Sequence, residues 1–363
     1  MKKVVYLVAI TVFFLVACQQ HSHSKENSKT NTKKTFATID SSLNIVPYHL
    51  MEDHFYRVVG FLSEVKVLLI EQQPEGEQLV QYNLLTGKKK TLYFSKNDII
   101  QAFIHPSMKQ ILLQTATNEK RATVMILSNT GELLHRFQVK SSEISIVWNP
   151  SNANLLALAA FSDDFSYKSY IYESNKEKLH RFQSANPFWT WLTDDSLWMN
   201  RMSNNPLNGG TLSIIDWKKN QEIPQSEHKV IYMSSFKQSK IIVTMDFKHE
   251  EFQYVLQKGK QKKMWKTPAV SSFSQWFVPE IQWLEDQSMM TLLPMKNGIV
   301  DDGEHPFQLV HATLKGVQNI GQLKNYEPIT CSSKGTVCLS GNNYETLIST
   351  KSYEMKKWLL LKK

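Results

Sequence analysis

The sequence predicts an all-β fold made of repeated units, and three observations carry this prediction. The pentamer at 134–138 returns verbatim at 179–183, 45 residues further along the chain. Within one such interval, strand-like apolar runs at 98–104, 110–115, 122–127 and 133–139 alternate with polar turns. No convincing amphipathic helix follows the first 18 residues. Four strands per unit of about 40 to 45 residues are typical of the blades of a β-propeller.

The repeat also gives a blade count. Each interval holds one anchor position, where an apolar or aromatic strand ends in a polar turn, and the anchors are Gly60, His105, Trp148, Trp191, Ser235, Trp283 and Cys331. Their spacings of 45, 43, 43, 44, 48 and 48 residues predict seven blades. Because blades bury one face against each other, the three anchor tryptophans are expected in the core. The alternative architecture, a pair of β-sandwiches, would not explain the constant period.

The first 40 residues predict a secretion signal followed by a tether. Lys2 and Lys3 precede an apolar stretch at 4–14, which is shorter than the roughly 18 residues of a membrane-spanning helix. The next four residues, 15–18, resemble the lipobox of bacterial lipoproteins, which implies a diacylglyceryl group on the sulfur of Cys18 and cleavage before it. Residues 19–40 are polar and cannot bury a core.

The predicted organisation therefore has three parts. We expect a lipoprotein signal peptide at 1–17, a lipidated cysteine and flexible tether at 18–40, and a β-propeller domain at 41–363. Two acyl chains hold a protein stably on a bilayer. The expected location is the extracytoplasmic side of the cell membrane.

The signal, the tether and the loosely repeated strands together resemble the YqgU-like propeller lipoproteins of Gram-positive bacteria. That resemblance implies a six-bladed domain, whereas the anchor spacing gives seven, so both counts stay open here. It implies no enzymatic activity and supplies no catalytic residues.

The charge of the chain argues against a nucleic-acid partner. The formal net charge is +9, but the basic residues are almost all lysines scattered along the sequence. Arginine, the residue suited to bidentate phosphate recognition, occurs only at Arg57, Arg121, Arg136, Arg181 and Arg201. A scattered lysine excess is typical of a solvated surface that attracts anionic lipids or wall polymers at long range.

Two cysteines, Cys331 and Cys338, flank a short polar turn in the last repeat. On facing strands of a hairpin they would be close enough for a disulfide, and the expected compartment is oxidising. A two-residue turn at Lys334-Gly335 would make them a hydrogen-bonded pair, the wider kind, whereas a bulge at Gly335 would change the register. A disulfide and two free thiols are both open.

The common signatures of enzymes are missing from the sequence. It contains no Gly-x-Ser-x-Gly elbow, no phosphate-binding glycine loop and no His-Glu-x-x-His motif. Its histidines are dispersed. No catalytic residue, metal site or cofactor is therefore predicted.

One end of the propeller is predicted to be acidic and rich in aromatic residues. In a propeller, the loops between the second and third strands of each blade share one face with the connections between blades, and we call this the loop face. The candidate binding residues on it are Glu75, Glu77, Asp163, Asp164, Phe188, Trp189, Glu250, Glu251, Phe273, Trp276, Phe277, Asp301, Asp302 and Glu304. Acidic and aromatic side chains together suit cations, sugars and basic peptides.

The sequence thus favours a membrane-anchored binding or assembly module of the cell envelope. The expected partner is an envelope protein, a cationic peptide or a glycan. The alternative is a small-molecule enzyme, of hydrolase or lyase type, with a carboxylate site at the axial funnel of the propeller. An enzyme would need convergent acids with perturbed pKa values in a deep pocket.

Overall fold

The structure, a computed structural model, describes residues 42–51, 56–118, 120–204, 208–275 and 277–362. The predicted signal peptide, Cys18, the tether and Trp276 lie outside these residues. The chain divides into a first unit, Met1–Phe36, and a second unit, Ala37–Lys363, which contains every described residue. Within the described part of the chain, no helix is long and apolar enough to cross a membrane.

The described residues form an all-β propeller of seven four-stranded antiparallel blades. Blade 1 contains β2 (Tyr56–Ser63), β3 (Lys66–Gln73), β4 (Gly76–Asn83) and β5 (Lys89–Ser95). Blade 2 contains β6 (Ile99–Ile104), β7 (Gln110–Asn118), β8 (Arg121–Ser128) and β9 (Leu133–Lys140). Blade 3 contains β10 (Glu143–Trp148), β11 (Leu155–Phe161), β12 (Tyr167–Glu173) and, after a 3-10 turn at Ser174–Lys176, β13 (Lys178–Phe182).

Blades 4 and 5 share one long strand. Blade 4 contains β14 (Trp189–Trp191), β15 (Ser196–Met202), β16 (Gly210–Asp216) and the first part of β17 (Gln221–Phe236). The second part of β17 starts blade 5, which continues with β18 (Ser239–Asp246), β19 (Glu251–Lys258) and β20 (Gln261–Pro268). These two blades therefore form one seven-stranded sheet.

The last two blades are separate sheets, and two short parallel pairs complete the fold. Blade 6 contains β22 (Ile281–Trp283), β23 (Met289–Pro294), β25 (Phe307–Ala312) and β26 (Val317–Leu323). Blade 7 contains β27 (Ile329–Cys331), β28 (Val337–Ser340), β29 (Thr346–Ser349) and β30 (Met355–Lys357). The parallel pairs are β21 (Val270–Ser271) with β24 (Gly298–Ile299), and β1 (Tyr48–Met51) with β31 (Leu359–Lys362).

The repeat analysis is confirmed. Six anchors lie within one residue of the end of the first, innermost strand of their blade, and Gly60 lies within β2, three residues before its end. Both copies of the repeated pentamer lie in or at the end of an outermost strand, β9 of blade 2 and β13 of blade 3. The propeller expected from the period is therefore present, and the competing β-sandwich pair is wrong.

The second strands are apolar at successive positions because each is covered on both sides. In β7, Ile111 and Leu113 pack in the cluster shared with blade 1, whereas Leu112 packs in the cluster shared with blade 3, and all three are fully buried. A strand that is buried on both faces reads as a continuous apolar run. Each fully buried aliphatic side chain contributes about 1.5–3 kcal/mol, so blade-to-blade packing is the main source of stability.

Hydrogen bonds join the anchors of neighbouring blades near the axis. Trp191 Nε1 donates to Val147 O of blade 3 at 2.9 Å, and Trp283 Nε1 donates to Ser234 Oγ of blade 5 at 2.8 Å. A ring nitrogen of His105 pairs with Asn149 O of blade 3 at 3.0 Å. The anchors are therefore residue types that combine apolar packing with a polar atom that reaches the next blade.

No strand is exchanged between the first and last blades, so the ring closes by other contacts. β1 and β31, the terminal strands, pair along the seam between blades 7 and 1. The fully buried Trp358 packs there with Leu43 and Tyr82, and Trp358 Nε1 donates to Tyr344 O at 2.6 Å. Among the described strands, no blade is assembled from both ends of the chain.

A buried carboxylate fastens the same seam. Glu64, in the first turn of blade 1, accepts hydrogen bonds from Ser333 Oγ at 3.0 Å, Lys334 N at 3.0 Å and Thr336 Oγ1 at 2.6 Å. All three donors belong to the first turn of blade 7. A buried carboxylate is tolerated only when donors satisfy it, and these donors bring the two blades together.

The sulfur atoms of Cys331 and Cys338 form a disulfide, with the Cα atoms 4.0 Å apart. The two-residue turn considered from the sequence is wrong, because Gly335 has a φ of +68° and the ladder hydrogen bond runs from Ser332 N to Val337 O. The cysteines therefore form a non-hydrogen-bonded cross-strand pair, the kind in which the two Cα atoms lie closer together.

Replacing Trp358 by alanine tests whether the seam limits stability. Trp358→Ala should lower the free energy of unfolding by about 3–5 kcal/mol, because it empties a fully buried site, as measured by urea denaturation. Leu361→Ala, three residues further along the chain in β31 and 48% exposed, is the matched control. Its effect should stay within about 0.5 kcal/mol, and equal losses in the two variants would contradict this role of the seam.

Removing the disulfide should destabilise the chain moderately. The bond closes a short loop in the unfolded chain, so the double variant Cys331→Ala/Cys338→Ala should lose about 2.5 kcal/mol of unfolding free energy. The measurement is urea denaturation of the variant beside wild type with and without a thiol reductant. Reduced wild type should match the variant, and an oxidised wild type no more stable than the variant would refute the expectation.

Candidate functional site

The structure separates the predicted binding residues into exposed and buried groups. Glu75, Asp163, Asp164, Phe188, Glu250, Phe273, Asp301, Asp302 and Glu304 are exposed on the loop face. Glu77 is only 4% exposed: it accepts a hydrogen bond from Ile99 N and lies 4.0 Å from Arg57, so it joins blade 1 to blade 2. The placement of Glu77 in a binding surface is therefore corrected.

Phe277 is likewise part of the core and not of a binding surface. Its ring is 9% exposed and lies within 6.1 Å, centroid to centroid, of the rings of Phe252, Phe307 and Tyr326. The aromatic character of this connection therefore serves packing at Phe277, whereas Phe273 in the same connection is 68% exposed.

The acidic groups do not converge on one point of the loop face. Asp163 accepts a hydrogen bond from Ser142, and Asp164 accepts hydrogen bonds from the backbone and side chain of Ser166. The bond of Asp163 joins two neighbouring loops, and the bonds of Asp164 lie within one loop. These two carboxylates therefore stabilise the local structure of the loops.

Part of the predicted set does come together between blades 5 and 6. Asp301 Oδ2 accepts a hydrogen bond from Phe273 N at 2.8 Å, and Asn297 Nδ2 donates to Glu250 O at 2.6 Å. The β21–β24 pair holds the two connections side by side. We call the exposed group of Glu250, Phe273, Asp301 and Asp302 the acidic ridge.

Three groups near this ridge have the ligand types of a metal site. Ligand atoms of Asp246, His249 and Glu251 lie within 4.8 Å of one another. However, Lys266 Nζ lies 2.7 Å from Glu251 Oε2 and 3.5 Å from Asp246 Oδ2. The pKa of Asp246 is lowered to about 2. The hydrogen bond from His249 is the largest cause, and the charge of His249 and the ammonium of Lys266 add to it, whereas desolvation acts in the opposite direction. The ammonium of Lys266 already takes the place of a cation, so this set does not fit a metal.

The loop face carries an apolar cavity between blades 4 and 5. Its volume is about 800 Å³, within the range of ligand sites. Its apolar lining residues are Ala185, Phe188, Trp189, Met202, Ile231, Tyr232, Met233 and Val278, and its polar ones are Asn186, Thr190, Asn200 and Arg201. Both aromatic connections predicted from the sequence therefore reach it, one through Phe188 and Trp189 and the other through Val278.

The shared strand β17 explains why the cavity is there. It runs from the outer edge of blade 4 into the innermost position of blade 5, with irregular pairing between Gly210 and Ser213. The second part of β17 contributes Ile231, Tyr232 and Met233 to the cavity, which opens on the loop face.

Asparagine side chains fix the wall and rim of the cavity. Asn200 Nδ2 donates to Val230 O at 2.7 Å, and Asn186 Nδ2 donates to Asn200 O at 3.0 Å. Asn186 Oδ1 accepts from Phe188 N at 3.0 Å, which holds Phe188 68% exposed at the rim. Asn200 Oδ1 lies 2.0 Å from the place where a Cβ of Gly210 would be, so only glycine fits beside it.

The one charged side chain among the described lining residues is already neutralised. Nε and Nη2 of Arg201 lie 2.8 Å and 2.7 Å from Glu222 Oε1. Burial raises the pKa of the Tyr232 phenol to about 12, although a hydrogen bond from Ser234 acts to lower it. The cavity therefore offers apolar surface, amides and a neutral phenol.

The axial side of blade 6 carries the half-buried carboxyl group of Glu280. Burial raises the pKa of Glu280, although hydrogen bonds from Gln282 at 3.0 Å and Tyr326 at 3.2 Å lower it. Its charge acts on the phenols of Tyr232, Tyr326 and Tyr344. Glu280 is not among the residues that line the cavity between blades 4 and 5. The described residues therefore do not show the convergent acids in a deep pocket that the enzyme alternative requires.

Comparisons with known proteins agree with this fold. The model of the family described as the YqgU-like 6-bladed beta propeller domain matches residues 83–341. The chain belongs to this family. Seven blades are present in the described residues, one more than the family description states. The matched range ends before β29 and begins at the end of β4, so the terminal blades fall partly outside it.

Relatives and solved structures resemble the chain over most of its length. The uncharacterized lipoprotein YqgU of Bacillus subtilis (strain 168) is 22% identical over 98% of this chain and 96% of its own. An uncharacterized protein of Listeria monocytogenes EGD-e has a TM-score of 0.78 at 19% identity, covering 87% of this chain and 98% of its own. The β-propeller domain of the Trilobed protease from Pyrococcus furiosus, described as having an open velcro topology, has a TM-score of 0.55 at 12% identity, covering 88% and 98%. These structures support the propeller fold.

Sequence reasoning missed most of the cavity. Asn186, Asn200, Met202, Ile231 and Met233 were not among the predicted residues, because nothing in the sequence joins two blades into one sheet.

Glu280 should make stability depend on pH. Because its folded pKa lies above the ordinary value of 4.5, its stabilising contribution is complete below that value and is lost as the pH rises through the folded pKa. Glu280→Gln stays neutral, so its stability relative to wild type should be higher at pH 8 than at pH 4. Urea denaturation at both pH values measures this, with exposed Glu75→Gln as the control. A relative stability that is the same at both pH values would contradict the burial of this carboxyl.

Proposed function

We propose that this chain is a membrane-anchored lipoprotein of the cell envelope whose propeller binds a segment of another envelope protein. The lipobox-like residues at 15–18 and the lipoprotein relative support the anchor. The observation that carries the binding role is the cavity of about 800 Å³, open to the loop face and lined mainly by apolar groups.

The chemistry of the cavity favours an apolar side chain over a sugar. Phe188 and Val278 are 68% and 46% exposed beside a cavity whose floor includes Met202 and Met233. Exposed aromatic groups next to a dry pocket are typical of the anchor points of protein interfaces. Flexible methionines let such a pocket accept side chains of different shape.

The acidic ridge supports a basic partner. The connection at 272–280 carries Phe273 on the ridge and Val278 at the cavity. One peptide could therefore place an apolar residue in the cavity and lysine or arginine residues against Asp301 and Asp302. Complementary charge of this kind increases the rate of association and selects the partner. No covalent step is part of this function.

Binding of selected peptides tests this function. Peptides are selected from a random display library against the full-length protein, and their Kd values are measured by fluorescence anisotropy. We expect a large apolar residue followed or preceded by basic residues. Phe188→Ala and Val278→Trp should each weaken binding at least about tenfold, about 1.4 kcal/mol, by removing the anchor and by narrowing the cavity.

Phe165→Ala is the matched control, since Phe165 is 86% exposed on the loop face of blade 3. Its Kd should stay within about twofold of wild type, because surface changes away from a site have small effects. Selected peptides that bind Phe188→Ala and Val278→Trp as tightly as wild type would place the binding surface elsewhere and refute the proposal.

A further inference from the structure

The end of the propeller opposite the loop face holds the first described residues of the chain. We call this end the turn face, because it carries the turns between the first and second and between the third and fourth strands of each blade. Val46 N donates to Leu84 O at 2.8 Å. Val46 also packs over Gly87, where an added Cβ would lie only 2.8 Å from Cγ1 of Val46. Leu84 and Gly87 belong to the third turn of blade 1. The chain therefore enters the propeller at the turn face, beside the seam.

Lysines surround this entry point. Lys88 and Lys90 flank the turn over which Val46 packs, and Lys351 and Lys356 lie in the last hairpin of blade 7. All four are exposed. Lys356 Nζ lies 3.4 Å from Leu43 O, which places blade 7 against the entering chain. We call these four residues the lysine collar.

The nearby acids on the blade 1 side do not neutralise the collar. Glu64 is 6% exposed and is satisfied by three donors of blade 7. Glu71 is 1% exposed and accepts hydrogen bonds from Tyr48, Gln78 and Lys89. In the collar hairpin of blade 7, Glu354 is the exposed acidic residue. The solvent at this end of the seam therefore meets an excess of ammonium groups.

We infer that the turn face is the membrane-facing side of the propeller, and that the lysine collar binds the anionic head groups of the lipid bilayer. The attraction of each lysine to a nearby anionic surface increases the population of the membrane-bound orientation about fivefold. The effect decays within a Debye length of about 8–10 Å. Several lysines at one edge, next to the entry point, are therefore enough to select one orientation of the domain.

The consequence is an outward-facing loop face. With the turn face on the bilayer, the cavity between blades 4 and 5 and the acidic ridge point away from the membrane. The acidic ridge would be repelled by the same lipids. This orientation rests on the proposed lipid anchor, the entry point and the collar, and it does not depend on the proposed peptide binding.

Lysine footprinting of the lipidated full-length protein tests this inference. The protein is reconstituted in vesicles of phosphatidylcholine alone, or with an added third of phosphatidylglycerol, and labelled with a water-soluble amine reagent before mass spectrometry. Labelling of Lys88, Lys90, Lys351 and Lys356 should fall at least threefold in the anionic vesicles. Lys248 and Lys296 on the loop face should be labelled equally in both, and 1 M salt should remove the difference.

A charge-matched pair of variants shows whether the collar is the cause. Lys88→Gln/Lys90→Gln/Lys351→Gln/Lys356→Gln should abolish the protection of Lys334, an exposed reporter in the first turn of blade 7. The control Lys168→Gln/Lys248→Gln/Lys296→Gln/Lys324→Gln removes the same charge from loop-face positions and should keep that protection. Thermal denaturation confirms that both variants are folded.

Two results would overturn the inference. Equal collar labelling in neutral and anionic vesicles would show that the collar does not bind lipid head groups. Protection by a soluble glycerol phosphate polymer, but not by phosphatidylglycerol vesicles, would assign the collar to a wall polymer instead. Loss of peptide binding in the Phe188 variant, by contrast, would leave the footprint unchanged, so the two proposals fail separately.

Discussion

The closed ring is the constraint on which the rest of the structure depends. Each blade buries apolar strands on both sides, so the first and last blades must meet or leave two such faces in water. Here β2–β5 and β27–β30 are each continuous in sequence. The seam is instead fastened by the β1–β31 pair, by Trp358 and by the carboxylate of Glu64. The terminal strands β1 and β31 are thus structural parts of the ring.

This closure explains why buried acids cluster in blade 1. Glu64, Glu71 and Glu77 are all at most 6% exposed, and each bonds to groups outside its own strand. Glu64 reaches blade 7, Glu71 reaches Tyr48 of the terminal strand, and Glu77 reaches blade 2. A buried carboxylate is costly unless donors surround it. These residues therefore fix the relative positions of elements that apolar contacts alone would hold less specifically.

The sequence predicts the period well because the period is local. A strand ending in a polar turn recurs wherever a first strand reaches the turn face, and the same packing repeats at each anchor. It predicts the disulfide pair only as one of two alternatives, since register at Cys331 and Cys338 depends on the conformation of Gly335. It could not separate exposed Glu75 from buried Glu77 either. Neighbouring residues of one loop differ in burial because of Ile99 and Arg57, which come from another blade and another strand.

The candidate site was harder to predict than the fold for a related reason. Phe188 and Trp189 are recognisable as aromatic loop residues, but Asn200, Ile231 and Met233 gain significance only through the path of β17. The cavity lies beside this shared strand, so its lining is set by the path of the chain and not by a motif. The strands β1 and β31 close the ring elsewhere, along the seam between blades 7 and 1. Closure of the ring therefore does not occupy the loop-face space between blades 4 and 5.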